Sequence, residues 1–263
     1  MNVSQEAGRT VTSKVLAILA AFESASGALS LSQIAESADL PLPTAHRLVA
    51  ELVQWGALER EDSGRYSVGM RLWEVAQMAG WQLRDTARPF LQDLFSLTQE
   101  TAHLAVREGS EALYVDRVYS SKRVPRASRV GGRLPLHATA VGKVLLAYEE
   151  PWFQEAYLKQ PMVALTSRTH SNARQFQREL SAVRKQGYAT THEEVRAGSC
   201  SIAVPVMLDD GRVIAAVGLV MLSTQAKGMN KFLPPLRGVA QRIAVAVSRH
   251  PAALRLPVAG VGK

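Results

Sequence analysis

The chain has 263 residues, enough for two ordinary domains, and with 47% apolar and 21% charged residues its composition is that of a globular protein, neither disordered nor fibrous. Its net charge of +8 invites a nucleic-acid partner without establishing one. The longest unbroken apolar run, Val15 to Phe22, is eight residues, whereas a bilayer-spanning helix needs about twenty, which excludes an integral helical membrane protein.

That run follows Arg9 and Lys14 but stops at Glu23; it is short for a secretory leader and reads instead as a buried helix. The single cysteine, Cys200, has no internal partner for a disulfide, which suits a reducing compartment, so a cytoplasmic location is expected. The charge is unevenly spread. Residues 1–75 carry six Lys/Arg against nine Asp/Glu, and residues 76–263 carry 25 against 14. The basic residues are densest at Arg117, Lys122, Arg123, Arg126, Arg129 and Arg133, a stretch that reads as a solvated loop.

In residues 13–22, Val15, Ile18, Leu19 and Phe22 recur at helical spacing, and Gly27 is expected to close this first helix. Ser30-Leu31-Ser32-Gln33 reads as a capping box opening a short second helix with Ile34, Ala35 and Ala38 inward. Pro41 forbids its continuation, and Pro43 is placed as the first residue of a third helix running to about Gln54. There Ala45, Leu48, Val49, Leu52 and Val53 form the apolar face, leaving Thr44, His46, Arg47, Glu51 and Gln54 opposite.

Leu58-Glu59-Arg60 and Arg65-Tyr66-Ser67-Val68, around the turn Asp62-Ser63-Gly64, predict a β-hairpin. Helix, helix, turn, helix, hairpin is the pattern of a winged helix-turn-helix. Residues 10–69 are therefore assigned to a DNA-binding domain. Residues 70–82 are assigned to a linker helix, with Leu72, Val75, Ala76 and Ala79 spaced along it.

A further helix is expected to start after Pro89. Beyond it, strand-like runs at 103–107, 112–118, 201–208 and 212–221 alternate with helical ones at 138–148, 172–186 and 236–249. Asp209-Asp210-Gly211 marks a hairpin turn. Residues 83–250 thus predict a mixed α/β domain around one sheet, and 251–263 a loose tail. The fold class is α+β.

Several segments together carry a family resemblance. LPLPTAHRL (Leu40 to Leu48), Gly64 to Gly69, GGRLPLHATAVGKVLLA (Gly131 to Ala147) and GYATTHEEVRAGSCSIAVPV (Gly187 to Val206) resemble, in order and spacing, the recognition-helix entry, the wing and the two effector-domain motifs of the isocitrate lyase regulator (IclR) family of bacterial transcriptional regulators. The resemblance implies a GAF-like effector domain, a small organic acid as ligand, and a homodimer or homotetramer. It also implies effector-binding positions: Thr191, Ser201, Gly218 and Val220, with Ala140 and Val141 walling the site and backbone amides near Gly131 and Gly132 helping to hold the ligand's polar end. Many members have an acidic residue, a cysteine and two serines at those positions. Here they are Thr191, Ser201, Gly218 and Val220, with Cys200 one residue early. Fewer hydroxyls and an added glycine predict a bulkier, aromatic acid over glyoxylate or pyruvate.

Catalytic readings fare poorly. Gly142-Lys143 lacks the preceding phosphate-loop glycine, His137 standing in that place, and Val144 replaces the magnesium-binding hydroxyl, so Lys143 is expected on a helix surface. His192-Glu193-Glu194 lacks the second zinc histidine, since Arg196 occupies its position. Cys200 is expected to be buried and inert, and Glu193 and Glu194, being adjacent, to face different ways. No catalytic residue, metal or cofactor is assigned.

Two function classes remain: a ligand-responsive DNA-binding regulator, and a binding or enzymatic α/β protein carrying an unrelated helical appendage. The third helix favours the first. Thr44, His46 and Arg47 supply short and bidentate groups for base edges in a double-stranded operator, and Arg65 in the hairpin supplies a phosphate or minor-groove contact. The basic stretch from Arg117 to Arg133 is then expected to line a subunit or effector surface away from the operator.

Overall fold

The computed structural model describes residues 9–249 apart from 24, 26, 77–80, 123 and 125–128. They fall into two compact units divided between residues 79 and 80.

In the first unit, helix α1 (Val11–Ala21) starts at Thr10, whose hydroxyl accepts the Ser13 amide, and ends at Ala21, well before Gly27. Helix α2 (Leu31–Ser37) opens with the reciprocal capping box: Gln33 N donates to Ser30 Oγ, and Ser30 N donates to Gln33 Oε1. Helix α3 (Leu42–Trp55) begins one residue earlier than expected, with Pro43 in its first turn, and is stopped by Gly56 at φ 87°, a conformation open to glycine at little cost. Strands β1 (Leu58–Arg60) and β2 (Tyr66–Val68) pair antiparallel. Leu29 adds a third short rung through two backbone bonds to Tyr66. Ile18, Ile34, Leu48, Val49, Leu58 and Tyr66 close the core between helices and hairpin. Helix α4 (Met70–Ala76) follows, with Arg71 stacked 4.9 Å from the Trp55 ring centroid. The remainder of the expected linker helix, residues 77–80, lies outside the described residues.

The second unit is a six-stranded antiparallel sheet with helices on both faces. Its strands are β3 (Thr101–Glu108), β4 (Glu111–Val118), β5 (Arg133–Pro135), β6 (Ala189–His192), β7 (Ser199–Met207) and β8 (Val213–Leu222), in the order β5-β4-β3-β8-β7-β6. Strands β5 and β6 escape the sequence reading because they are three and four residues long. Helices α5 (Trp81–Thr98) and α9 (Leu233–Ser248) cover one face, with Leu83, Leu91, Leu94, Ile243 and Val247 against Leu104, Ile202, Val217 and Leu219. Helices α6 (Ala140–Ala147) and α8 (Ala173–Gln186) cover the other, with Val144, Phe176 and Leu180 against Ala105, Ala203 and Ala216. Helix α7 (Pro151–Leu158), unforeseen in the sequence, adds Tyr157 to this second layer.

Pro89 corrects the reading. It lies inside α5, which starts at Trp81. A proline mid-helix costs about 3 kcal/mol through its missing N–H and ring clash, but Leu83, Ala87, Leu91 and Leu94 are all buried on a stripe that crosses it. Burying such side chains contributes roughly 1.5–3 kcal/mol for each large one, so packing overrides the local signal.

Candidate functional site

Helix α3 presents two faces. Ala45, Leu48 and Val49 are buried, Leu52 and Val53 half-buried, and His46, Arg47 and Glu51 exposed, with Thr44 half-buried at the helix start. The Arg47 guanidinium lies 2.8 Å from Glu51 Oε1, with the Arg47 side chain 61% exposed. An exposed i, i+4 pair of this kind is worth only a few tenths of a kcal/mol, so it does not tie Arg47 down. Arg65, exposed in the hairpin, reaches Gln33 Oε1 at the start of α2 at 3.4 Å. The structure therefore leaves these four polar residues on the outside of the first unit.

The second unit holds a cavity of about 30 Å³ on the α6 side of the sheet, at the start of that helix. The strand register builds its floor: Thr191 pairs with Ser201, and Ser201 with Val220, forming one row across β6, β7 and β8. The hydroxyls of Thr191 and Ser201 are 2.5 Å apart. His103 from β3, Tyr114 and Arg117 from β4 and Leu134 from β5 also line it, together with Thr139 and Ala140 at the start of α6. The Thr139 hydroxyl accepts the Gly142 amide at 3.0 Å and so starts α6.

Of the positions implied by the resemblance, Ala140, Thr191, Ser201 and Val220 meet at this cavity. Two others do not. Val141 is buried in the core with Leu136 and Val144. Gly218 sits one step along β8 with His103 across from it, and a Cβ there would lie 2.8 Å from His103 Nε2 and 3.0 Å from the Ile202 carbonyl. The room expected from its missing side chain is filled by the histidine ring. The amides of Gly131 and Gly132 donate to the carbonyls of Tyr114 and Arg129, so they close the connection between β4 and β5 upon itself.

His103 and Tyr114 were missed at the sequence level, and Arg117 was named only as part of a basic stretch expected to line a subunit or effector surface. Plain alternation from Tyr114 would point Asp116, not Arg117, to the cavity. A bulge in the β3–β4 pairing between Leu104 and Ala105 shifts the register, so that Leu104 faces Asp116 and His103 faces Arg117. Asp116 thereby turns to α5, where Arg88 donates to it at 2.8 Å, and Arg117 turns to the cavity. His103 is 2% exposed, and its Nδ1 has no hydrogen-bond partner. Burial, reinforced by the Arg117 charge, lowers its pKa to about 3, so the imidazole is neutral.

Lys143 is also corrected. It is fully buried, its ammonium 2.8 and 2.7 Å from the two Glu194 oxygens and 2.7 Å from Glu179 Oε1. His170 Nδ1 is 2.7 Å from the other Glu179 oxygen. The side chains of His170, Glu179 and Glu194 converge within 4.8 Å, a spacing that could hold a metal, but a lysine ammonium already supplies the positive charge. Burial raises the Glu194 pKa while Lys143 opposes the shift. Glu193 faces elsewhere, toward Arg168 and the Gly198 amide, from a left-handed backbone at φ 58°. The Cys200 thiol donates to the Leu222 carbonyl, and burial, with Glu100 and Glu193, pushes its pKa up to about 11, so it is no nucleophile at neutral pH.

The basic stretch is only partly described. Lys122 pairs with the buried Glu100, and Arg133 with Glu108 at 2.7 Å. Arg123 and Arg126 lie outside the described residues. Among the described residues, no helix is long and apolar enough to cross a membrane.

Both units have counterparts. Residues 11–62 match the IclR helix-turn-helix domain, and residues 75–245 match the bacterial transcriptional regulator IclR C-terminal domain. The chain is 32% identical over 244 residues to the HTH-type transcriptional regulator XynR of Escherichia coli K12, covering 90% of this chain and 94% of that one. It is 31% identical over 240 residues to the Pca operon regulatory protein of Acinetobacter baylyi, covering 88% and 86%. Among solved structures, an IclR homolog from Microbacterium hydrocarbonoxydans complexed with 4-hydroxybenzoate superposes with a TM-score of 0.86 at 31% identity, covering 91% of this chain and all of that one. The Thermotoga maritima IclR superposes with a TM-score of 0.73 at 30% identity, covering 89% and 97%. The helical unit is thus no unrelated appendage, these relatives are named as regulators and not as enzymes, and the chain belongs to the IclR family of bacterial transcriptional regulators.

Proposed function

We propose that this protein is a sequence-specific operator-binding regulator whose DNA affinity is set by a small organic acid, and that the acid is aromatic. The observation that carries the reading is the joining, in one chain of this family, of an exposed polar face on α3 with a polar cavity at the start of α6. Thr44, His46 and Arg47 serve the major groove, and Arg65 the flanking backbone or minor groove. Two copies of the chain, alone or as a pair of pairs, read two half-sites. This compensates for a first domain with more acidic than basic residues, since each copy adds its own contacts.

The aromatic assignment is supported by the 4-hydroxybenzoate held by a structural relative of this chain and by the apolar Leu134, Ala140, Val195 and Val220 among the cavity's hydroxyls. A ligand that binds one arrangement of the protein better than another shifts the balance between them, which is what control of operator affinity requires.

The test selects genomic fragments bound by the purified protein, then measures operator affinity and thermal stability with benzoate, 4-hydroxybenzoate, hydroxycinnamates, glyoxylate and pyruvate. A ligand present at a hundred times its Kd adds about 2.7 kcal/mol of stability. The expected result is a shift with an aromatic acid accompanied by changed operator affinity. A shift with pyruvate or glyoxylate and none with any aromatic acid overturns the aromatic assignment. Failure to enrich any fragment overturns operator binding.

A further inference from the structure

We infer that His103 reads an uncharged hydroxyl on the effector's ring, a specificity-determining residue that favours a hydroxylated aromatic acid over the same acid without the hydroxyl. This rests on the reading of the cavity as the effector site and adds which substituent that site selects and which side chain selects it.

The His103 ring borders the cavity and is 2% exposed, and its Nδ1 has no hydrogen-bond partner. Buried polar groups in folded proteins are nearly always bonded, because an unmet one has given up its hydration for nothing. Other polar side chains of the lining are already engaged. The hydroxyls of Thr191 and Ser201 bond one another, the Thr139 hydroxyl accepts the Gly142 amide, and both Glu194 oxygens accept from the Lys143 ammonium. His103 differs from these four in bringing an unmet bond to the cavity wall.

The ring is also held where it stands. Strand β3 lies between β4 and β8. On the β8 side Gly218 pairs with His103, and even a Cβ there would lie 2.8 Å from Nε2; on the β4 side the Tyr114 ring centroid is 5.3 Å away. A side chain wedged between two strands waits for a partner to come to it, and the cavity is where one can arrive.

The chemistry of the nitrogen selects that partner. Burial keeps the imidazole neutral, so one ring nitrogen carries a proton and the other a lone pair. A carboxylate only accepts and an ammonium only donates. A hydroxyl does both, so it completes the bond at Nδ1 in either tautomer and brings no further charge into the site.

The experiment uses the full chain and two matched pairs of probes, 4-hydroxybenzoate with 4-fluorobenzoate and 3-hydroxybenzoate with 3-fluorobenzoate, with binding followed by calorimetry. Fluorine replaces the hydroxyl at nearly the same size, and both members of a pair carry the same charge at neutral pH. The wild type is expected to bind one hydroxy acid roughly ten- to a hundred-fold more tightly than its fluoro partner, the range for leaving a buried polar group unpaired. His103→Leu should abolish that preference by weakening the hydroxy acid while leaving the fluoro acid within about threefold of its wild-type affinity. His103→Asn, whose side-chain amide reaches about as far as Nδ1, should retain part of it.

If the wild type favours neither hydroxy acid over its fluoro partner, the inference is overturned without any variant. It is equally overturned if His103→Leu, folded by circular dichroism, keeps the preference, or if none of the four probes binds. Should no other aromatic acid bind either, the aromatic reading of the site falls with it. An aromatic acid that changes operator affinity with no preference for the hydroxyl removes the inference alone.

Discussion

The Lys143 ammonium bonds both carboxylate oxygens of Glu194, 51 residues away, from the middle of a helix with no exposed face. Removing one partner of such a pair leaves the other buried and uncompensated, which costs roughly 3–5 kcal/mol. Lys143→Met is expected to lower stability by that amount. Lys143→Met with Glu194→Gln should recover part of it, because the orphaned charge is gone. Urea unfolding of the two variants and their parent checks both statements.

His103 gives stability a pH dependence of definite sign. Its pKa is about 3 in the folded protein and 6.5 in the unfolded chain, so below 6.5 the unfolded state takes up a proton that the folded state refuses. The stability is fully present above 6.5 and lost as pH falls toward 3. Between pH 8 and pH 5 the loss from this group is about 2 kcal/mol. His137, whose pKa is lowered mainly by burial, acts in the same direction. Unfolding measured at the two pH values should show the drop, and His103→Gln should flatten it.

Arg47→Ala is expected to weaken specific operator binding by about 1–3 kcal/mol and relax preference at one base pair. It should leave stability unchanged, because its ion pair with Glu51 is exposed on both sides. Competition binding against single-base operator variants, beside a thermal melt, measures both. Unaltered discrimination at every position would remove Arg47 from the base-reading set.

Gly218→Ala places a methyl 2.8 Å from His103 Nε2 and 3.0 Å from the Ile202 carbonyl, a backbone atom that yields little. Overpacking of this kind costs about 1–3 kcal/mol. Because the displaced atom belongs to His103, the variant should also weaken 4-hydroxybenzoate. A melt and a titration with that acid test the paired effect; a variant as stable as its parent would show that the sheet gives way easily there.

Much of the architecture is written locally. Ser30 and Gln33 form their reciprocal cap, and Gly56 stops α3, because each needs partners only a few residues distant. Asp209, Asp210 and Gly211 turn the chain between β7 and β8 for the same reason, the Gly211 amide bonding to Leu208. Periodicity also separates the buried face of α3 from the face bearing His46 and Arg47, since a single helix on a core has one inside and one outside.

What local pattern could not decide depends on partners distant in sequence. Pro89 reads as a helix start until the buried stripe of α5 is laid against the sheet. Lys143 reads as a surface cation, because only the fold brings Glu179 and Glu194 around it and so offsets its desolvation. Gly218 reads as open space until His103 arrives from the neighbouring strand. The bulge at Leu104 and Ala105 exchanges the faces to which Asp116 and Arg117 point, placing the acid under Arg88 and the guanidinium in the cavity. Strand alternation has a period of two, so one extra residue reverses every side chain beyond it. The sequence on its own thus determined the helix-turn-helix and the sheet, while which of Asp116 and Arg117 lines the cavity was decided by a single unpaired residue in a strand pairing that only the tertiary structure contains.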